Sequence, residues 1–371
     1  MLTGIRTDTG LVPAAERTAL LAGGYAAEAD RTRALHPEVV EAIAADGFAR
    51  HLVASRWGGA EGSFEDLTRA VIRVGEGCAA TAWCASLAAY SARIAAHLPA
   101  EGQRQLWGAG PDTAVAAGLI PSGKAVPAEG GWRLSGSWGY VSGVDFADWV
   151  LLCAAAGSGE GPPELRFLAV PRGGFTVRRT WDNTGMRATG SHTVTVEDVL
   201  VPEALTFARP ELLSGRNAGS SLPAHNVPFQ ALSGLTFLAP AVGAAAGALA
   251  ACAATLTGRR RTETGETRLV HASGLVHAAR HLVEENARTA DQGLFSPQIV
   301  ARSERNAACA AQLLQEALDL LVRAGGTSGL TVGAPLERFW RDVTSATSHV
   351  ALQYGTSAAR SYAAVLIGPP E

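Results

Sequence analysis

The apolar positions of this chain change period twice. Over residues 13–110 they recur at helical spacing, from Thr113 to about Phe207 they fall in short runs split by Gly and Pro, and after residue 228 the helical spacing returns. The first stretch predicts a helix opening at His36-Pro37, with Pro in its first turn, and ending near Gly47. A second helix is expected over Asp66–Gly75. Cys78–Leu98 (CAATAWCASLAAYSARIAAHL) predicts a long, almost uncharged helix carrying Trp83, Tyr90 and His97. A helix this apolar is either deep core or the wall of a pocket for an apolar ligand. In the middle, WRLSGSWGYVSG, WVLLCAAA, LRFLAVP, FTVRRTW and HTVTVEDVLVP predict strands, with Gly157–Pro163 as a hairpin loop. Residues 208–228, which hold His225 and Asn226, read as a long polar loop.

Four further helices follow in this reading: Phe229–Leu256, Thr267–Ala290, Pro297–Arg323 with Gly325-Gly326 as its stop, and Arg338–Ala364. Leu235–Leu256 is uncharged and long enough to span a bilayer. Its Ala and Gly content and Pro240 instead predict a helix buried by protein, with small side chains that let neighbours approach closely. In the last helix, positions seven apart share a face, which sets Asp342 and His349 on one side with Ser345 between them. Spacing alone leaves His349 either a structural residue or a catalyst.

Composition narrows the function. The chain has 371 residues, with 31 Lys and Arg against 34 Asp and Glu, for a net charge of −3. Such a balance gives no electrostatic reason to expect nucleic acid or an anionic membrane as partner. Cys78, Cys84, Cys153, Cys252 and Cys309 form no CxxC pair, which fits reduced thiols in a cytoplasm. No secretion signal is visible, and no G-x-G-x-x-G opens a βαβ unit, so NAD(P)H is not expected to bind here.

Three motifs carry a resemblance: GSWGYVSGVDFADW (136–149), WDNTGMRATGSHTVTVEDVLVP (181–202), and an Arg341-Asp342 pair followed by His349, eight residues after the Arg. In this order the chain resembles the acyl-CoA dehydrogenase fold. Within that fold it looks most like the flavin-dependent monooxygenases that take reduced flavin from a separate reductase. The resemblance implies a mainly α protein with a central β domain: an N-terminal helical domain (1–112), a middle β-barrel or sandwich (113–209) and a C-terminal four-helix bundle (210–371). It also implies a homotetramer, reduced FMN or FAD and O2 as cofactors, a separate NAD(P)H flavin reductase as partner, and oxygen transfer through a C4a-hydroperoxyflavin.

The same resemblance assigns site residues. Strand positions Trp138, Tyr140 and Ser142 alternate to one face. Ser142 would sit near the N5 and O4 edge of the flavin, followed by Gly143, with Trp138, Tyr140 and Trp181 as ring walls. Thr189, Gly190 and Ser191 offer hydroxyl and amide groups to the cofactor's polar tail. Arg259, Arg260 and Arg261 either reach a flavin phosphate in a neighbouring subunit or form a solvated helix end. Gly325, Gly326 and Thr327 resemble a loop that touches a neighbour's cofactor.

The chemistry follows from an absence. The Glu that serves acyl-CoA dehydrogenases as base would stand nine residues after Arg341, where this chain has Val350, and no Asp or Glu occurs between Glu211 and Glu263. His349 stands one residue before the missing Glu, and an imidazole can take a phenolic proton at neutral pH. Where many aromatic hydroxylases of this kind carry a second His, the chain has Tyr90-Ser91. Tyr90 is a candidate donor to the substrate, which the resemblance implies to be a small aromatic or polyketide-like molecule. Alternatives are N- or S-oxygenation, an acyl-CoA dehydrogenase-type FAD enzyme with an atypical base, and an inactive binding protein on the same scaffold.

Overall fold

The computed structural model describes residues 10–157, 161–257 and 262–368. It begins with helices α1 (Leu11–Thr32), α2 (Pro37–Ala45), α3 (Phe64–Gly77), α4 (Ala79–Ala95) and α5 (Ala100–Trp107). Strands follow: β1 (Val115–Ala128), β2 (Gly131–Val141), β3 (Trp149–Ala156), β4 (Glu164–Pro171), β5 (Thr176–Arg178), β6 (His192–Pro202) and β7 (Thr206–Ala208). Helices then return as α6 (Arg209–Ser214), α7 (Phe229–Leu256), α8 (Glu263–Gln292), α9 (Pro297–Gly329), α10 (Pro335–Thr347) and α11 (Ala359–Ile367). Local signals account for several starts. Pro37 is the first residue of α2, and the His36 ring accepts the Glu38 amide; Ser63 accepts the Asp66 amide at the head of α3.

Helix α7 is the axis of the helical part and packs against α3, α4, α8, α9 and α10. Its contact with α3 needs glycine. A Cβ on Gly243 would lie 2.1 Å from the Ile72 carbonyl oxygen, and one on Gly75 would lie 2.8 Å from that of Pro240. The two backbones touch because no side chain intervenes. Helix α7 has the length and apolarity to cross a membrane, but 67% of its most apolar window is buried inside the protein. The burial expected for it holds over most of its length; Ala250 and Ala254 in the last turns are exposed.

The strands form one seven-stranded sheet in the order β5-β6-β2-β1-β3-β4-β7. Strands β1 and β3 pair in parallel and the other neighbours are antiparallel. The expected hairpin joins β3 to β4, with Ala156 opposite Glu164; its tip, 158–160, lies outside the described residues. Leu134, Trp138, Leu152, Phe167 and Val194 belong to the core of this part. Among the described residues Cys78, Cys84 and Cys153 form no disulfide and are buried.

Three expectations change. The stretch 208–228 is not a plain loop: it contains α6 and a short 3-10 turn at Pro223–His225. Gly325-Gly326 kinks α9 rather than ending it, with Gly326 at φ 62° and ψ −161°. The last helix is broken. Helix α10 stops at Thr347, and a 3-10 turn (Val350–Leu352) and a π turn (Tyr354–Ala358) precede α11. No Pro forces this break; polar side chains do. The hydroxyls of Thr344, Thr347 and Ser348 each bond the carbonyl four residues back at 2.7 Å. The Gln353 amide caps the Thr347 carbonyl at 2.7 Å, and His349 Nδ1 accepts the Ala351 amide at 3.2 Å. Such local bonds compete with the helical ladder. His349 therefore adopts extended backbone, and Asp342 and His349 do not share a helical face.

Candidate active site

A cavity of about 430 Å³ opens between the helical part and the sheet. Helix α4 contributes Trp83, Leu87 and Ser91, and α7 contributes Phe237. Strand β1 supplies Ala117, Gly118, Leu119 and Ile120, the end of β2 supplies Gly139 and Tyr140, and Ser142 follows just after it. Trp181, Met186, Thr189 and Ser191 come from the second motif; Ser345, Ala346, Ser348, His349 and Val350 come from the broken end of α10. Among the described residues, no Asp or Glu lines it.

One wall is a directed chain of hydroxyls. Thr189 Oγ1 donates to the Met186 carbonyl at 3.0 Å, so its proton is committed. Ser191 Oγ lies 2.6 Å from Thr189 Oγ1 and must donate to it; Ser142 Oγ lies 2.7 Å from Ser191 Oγ and must donate in turn. Trp83 Nε1 then donates to Ser142 Oγ at 3.1 Å. Each hydroxyl has one proton and two lone pairs, so Ser142 keeps one lone pair and no free proton. The neighbouring Trp181 is fixed by its indole N–H on the Met186 carbonyl at 2.9 Å.

His349 stacks on Phe237, with centroids 3.7 Å apart and planes 28° apart, and meets Trp83 edge-on. Burial alone holds its imidazole down to about 4, so it is neutral at physiological pH. Because Nδ1 accepts the Ala351 amide, the ring proton is on Nε2, and His349 is a hydrogen-bond donor in this tautomer. The Arg341-Asp342 pair serves a different end. Arg341 donates to the Thr184 carbonyl at 2.6 Å and binds Asp30 and Glu337, while Asp342 accepts the Met186 amide at 2.6 Å. A Cβ on Gly185 would fall 2.1 Å from the Arg341 carbonyl oxygen. The pair clamps the second motif onto α10. Burial pushes the Asp342 carboxyl up to about 7.

Comparison with known proteins decides the family. The model of the acyl-CoA dehydrogenase C-terminal domain matches residues 235–354. The oxygenase component of the FADH2-dependent resorcinol hydroxylase of Rhizobium sp. is 30% identical over 88% of this chain and 86% of its own length. This chain belongs to the two-component flavin-dependent monooxygenases of the acyl-CoA dehydrogenase fold. The oxygenase subunit HsaA of Mycobacterium tuberculosis, a flavin-dependent monooxygenase, is 29% identical over 86% of each chain. The structure of XiaF from Streptomyces sp., in complex with FADH2 and glycerol, is 26% identical and superposes with a TM-score of 0.90 over 99% of this chain and 98% of that one.

The monooxygenase fold brings some of the expected residues together and disperses others. Ser142, Tyr140, Trp181, Thr189, Ser191 and His349 all meet the cavity. Trp138 does not: it is 1% exposed and donates to the Cys153 carbonyl at 2.7 Å, inside the sheet core. The register slips between Trp138 and Val141, and Tyr140 takes a left-handed φ of 62°. That bulge breaks the alternation, sending Tyr140 out and Trp138 in. Gly143, at φ 72°, lies behind Ser142 and donates its amide to the Thr189 carbonyl at 2.8 Å. Ser91 is at the cavity wall, while Tyr90 faces an adjoining chamber. Gly325 and Gly326 are not among this cavity's lining residues; Arg259 and Arg261 lie outside the described residues. His225 is a structural staple, bonded at 2.7 Å to both Ser220 Oγ and the Leu52 carbonyl.

Two wall residues escaped the sequence reading. Trp83 was visible only as one aromatic in an apolar helix. Phe237 had a weaker signal, as one of two aromatics in an otherwise Ala- and Gly-rich α7. Neither periodicity nor spacing says that these rings converge on His349.

Proposed function

We propose that this chain is the oxygenase component that receives reduced FMN or FAD from a separate NAD(P)H-dependent reductase and adds one oxygen atom from O2 to an aromatic substrate. Bound reduced flavin would supply the activation of O2. Ser142, Ser191, Thr189, Trp181 and Tyr140 would hold it.

The observation that carries this reading is the direction of the hydroxyl chain. A reduced flavin carries a proton on N5, whereas an oxidised flavin carries only a lone pair there. Ser142, left with a lone pair and no proton, matches the donor of the reduced ring. The rest of the cavity is suited to keeping water out. Trp83, Phe237, Leu87 and Leu119 present apolar surface, and an excluded-water site protects reactive flavin chemistry. His349 holds its proton at Nε2, from which it donates to the substrate's oxygen. A turn of the ring that releases the Ala351 amide lets the same imidazole accept a phenolic proton. Among the described residues the cavity wall offers no carboxylate to abstract a proton α to a thioester, which speaks against the dehydrogenase reading.

Anaerobic titration tests the flavin preference, with reduced flavin expected to bind more tightly than oxidised. Isotopically labelled O2, reduced flavin and a panel of phenols then test the chemistry, with label expected in the product. Equal affinity for both redox states and no labelled product from any phenol would sink the reading. The proposal extends to assembly as a homotetramer, supported by the exposed apolar end of α11, where Leu366 and Ile367 are 70% and 86% exposed. Light scattering on the eluted protein checks it.

A further inference from the structure

Behind Ser91 the cavity continues into a second chamber of about 40 Å³, which shares the walls Leu87, Ser91, Ala117, Leu119 and Phe237 with the first. That is room for about three water-sized groups, at roughly 10–15 Å³ of such space each. It suits the end of a ligand whose body lies in the main cavity. Its far side holds two polar groups. The Tyr90 hydroxyl is buried and has no hydrogen-bond partner among the described residues. Arg93 is 1% exposed. Its Nε and Nη2 donate to the Ala224 and Val227 carbonyls at 2.6 and 2.5 Å, and Nη1 makes no hydrogen bond among the described residues.

Arg93 has no carboxylate within ion-pair distance among the described residues. Burial lowers its guanidinium only to about 10, which leaves it cationic at neutral pH. The nearest acidic influence on Tyr90 is Asp291, whose carboxylate is already bound to the Phe64 and Glu65 amides at 2.8 and 2.9 Å. The remaining hydroxyl of the far wall, Thr236, bonds back to Leu232. Phe64 fixes both groups: its ring stacks near Tyr90, with centroids 6.2 Å apart, and lies 6.0 Å from the Arg93 guanidinium.

A buried cation without a counter-ion is costly, and so is a buried hydroxyl without a partner. The two carbonyls explain how Arg93 tethers the loop before α7. They do not explain why a full charge ends beside an unpartnered phenol on a cavity wall. Guanidinium N–H groups only donate, and the Tyr90 proton has no acceptor, so the missing partner is an acceptor with negative charge.

We propose that this inner chamber binds the carboxylate head of the substrate, through Arg93 Nη1 and the Tyr90 hydroxyl, making the enzyme selective for hydroxyaryl carboxylic acids. The inference rests on the oxygenase reading of the main cavity and adds the class of substrate. Arg93 and Tyr90 are specificity residues in it, with no part in oxygen transfer.

The test is equilibrium binding to the flavin-free protein, read by tryptophan fluorescence. The probes are hydroxybenzoate, hydroxyphenylacetate and hydroxycinnamate, each beside its methyl ester. At least one acid is expected to bind roughly tenfold or more tightly than its ester. Tyr90→Phe is expected to remove several-fold of that preference while leaving ester affinity unchanged. Arg93→Gln is expected to abolish it. Should the Arg93 variant lose the loop and fail to fold, Tyr90→Phe alone still decides, because its hydroxyl supports nothing else. Acids and esters binding alike, no acid binding at all, or a preference untouched in Tyr90→Phe would each overturn the proposal, with water as the chamber's occupant. Turnover separates the two readings. Labelled product from esters and acids alike leaves the oxygenase standing and removes the chamber's role. Tight acid binding without labelled product from any phenol removes the oxygenase reading and keeps the carboxylate site.

Discussion

The two ends of the cavity treat buried polar groups in opposite ways. At the sheet end, Trp83, Ser142, Ser191 and Thr189 form a chain in which each proton has a destination. At the inner end, among the described residues, Tyr90 has no partner and Arg93 has no counter-ion. A satisfied network fixes geometry, and an unsatisfied pair stores affinity for something that must arrive. The first end is built to orient a group of known polarity. The second is built to select one.

The contrast breaks most visibly at the residue between the ends. His349→Ala removes the Nε2 donor facing the cavity and should slow oxygenation about 10²–10⁴-fold, the range typical of a lost proton-transfer residue. Rapid kinetics with a phenolic substrate checks it, and an unchanged rate would reduce His349 to a structural ring on Phe237. Next in size is Ser142→Ala. It removes the chain's terminal acceptor and should weaken reduced-flavin binding by about 1.5 kcal/mol, roughly tenfold, with little effect on the oxidised form. An equal loss in both redox states would show that the chain's direction selects nothing.

Tyr90→Phe sharpens the comparison from the other side. Its hydroxyl bonds nothing among the described residues and is costly to bury, so thermal stability should hold or rise by about 1 kcal/mol over the parent. A loss beyond about 1 kcal/mol would mean that the hydroxyl is satisfied after all.

Acid sensitivity rests on His97, another buried polar group. Among the described residues neither ring nitrogen makes a hydrogen bond of good geometry, and the ring packs on Phe207 at 5.3 Å. It lines neither chamber of the cavity. Burial pushes its imidazole down to about 3, against an ordinary value near about 6.5. Between those limits the unfolded chain binds a proton that the folded one refuses. The stability tied to its neutral form is present above about pH 6.5 and lost as pH falls toward about 3. His97→Phe keeps the ring stack and removes the proton site. Its melting temperature should match the parent near about pH 8 and gain on it as the pH drops toward about 4. A gap that does not widen on acidification would refute this.

Much of the site was legible in the chain because its signals are local. The helix start at His36-Pro37, the small residues of α7, the strand runs and the motif around Ser142 each act over a few residues. The missing Glu at Val350 was an observation about a single position. Local bonds also defeated the reading in places. The hydroxyls of Thr344, Thr347 and Ser348 ended α10 where spacing predicted a continuous helix, and the bulge before Val141 reversed Trp138 and Tyr140. Arg93 shows the harder case. In the sequence it is one basic residue in an apolar helix, and nothing nearby says that its charge is buried.

By itself the sequence determined the order of elements, the small residues of α7 that let neighbours come close, and the Val350 that stands where a dehydrogenase would carry Glu. Those follow from residue size, hydrophobic period and identity at fixed positions. Tertiary packing decided the direction of the hydroxyl chain, the tautomer of His349 and the isolation of Arg93 and Tyr90. Each of these depends on which donor meets which acceptor across distant segments, and one-dimensional spacing does not encode that pairing.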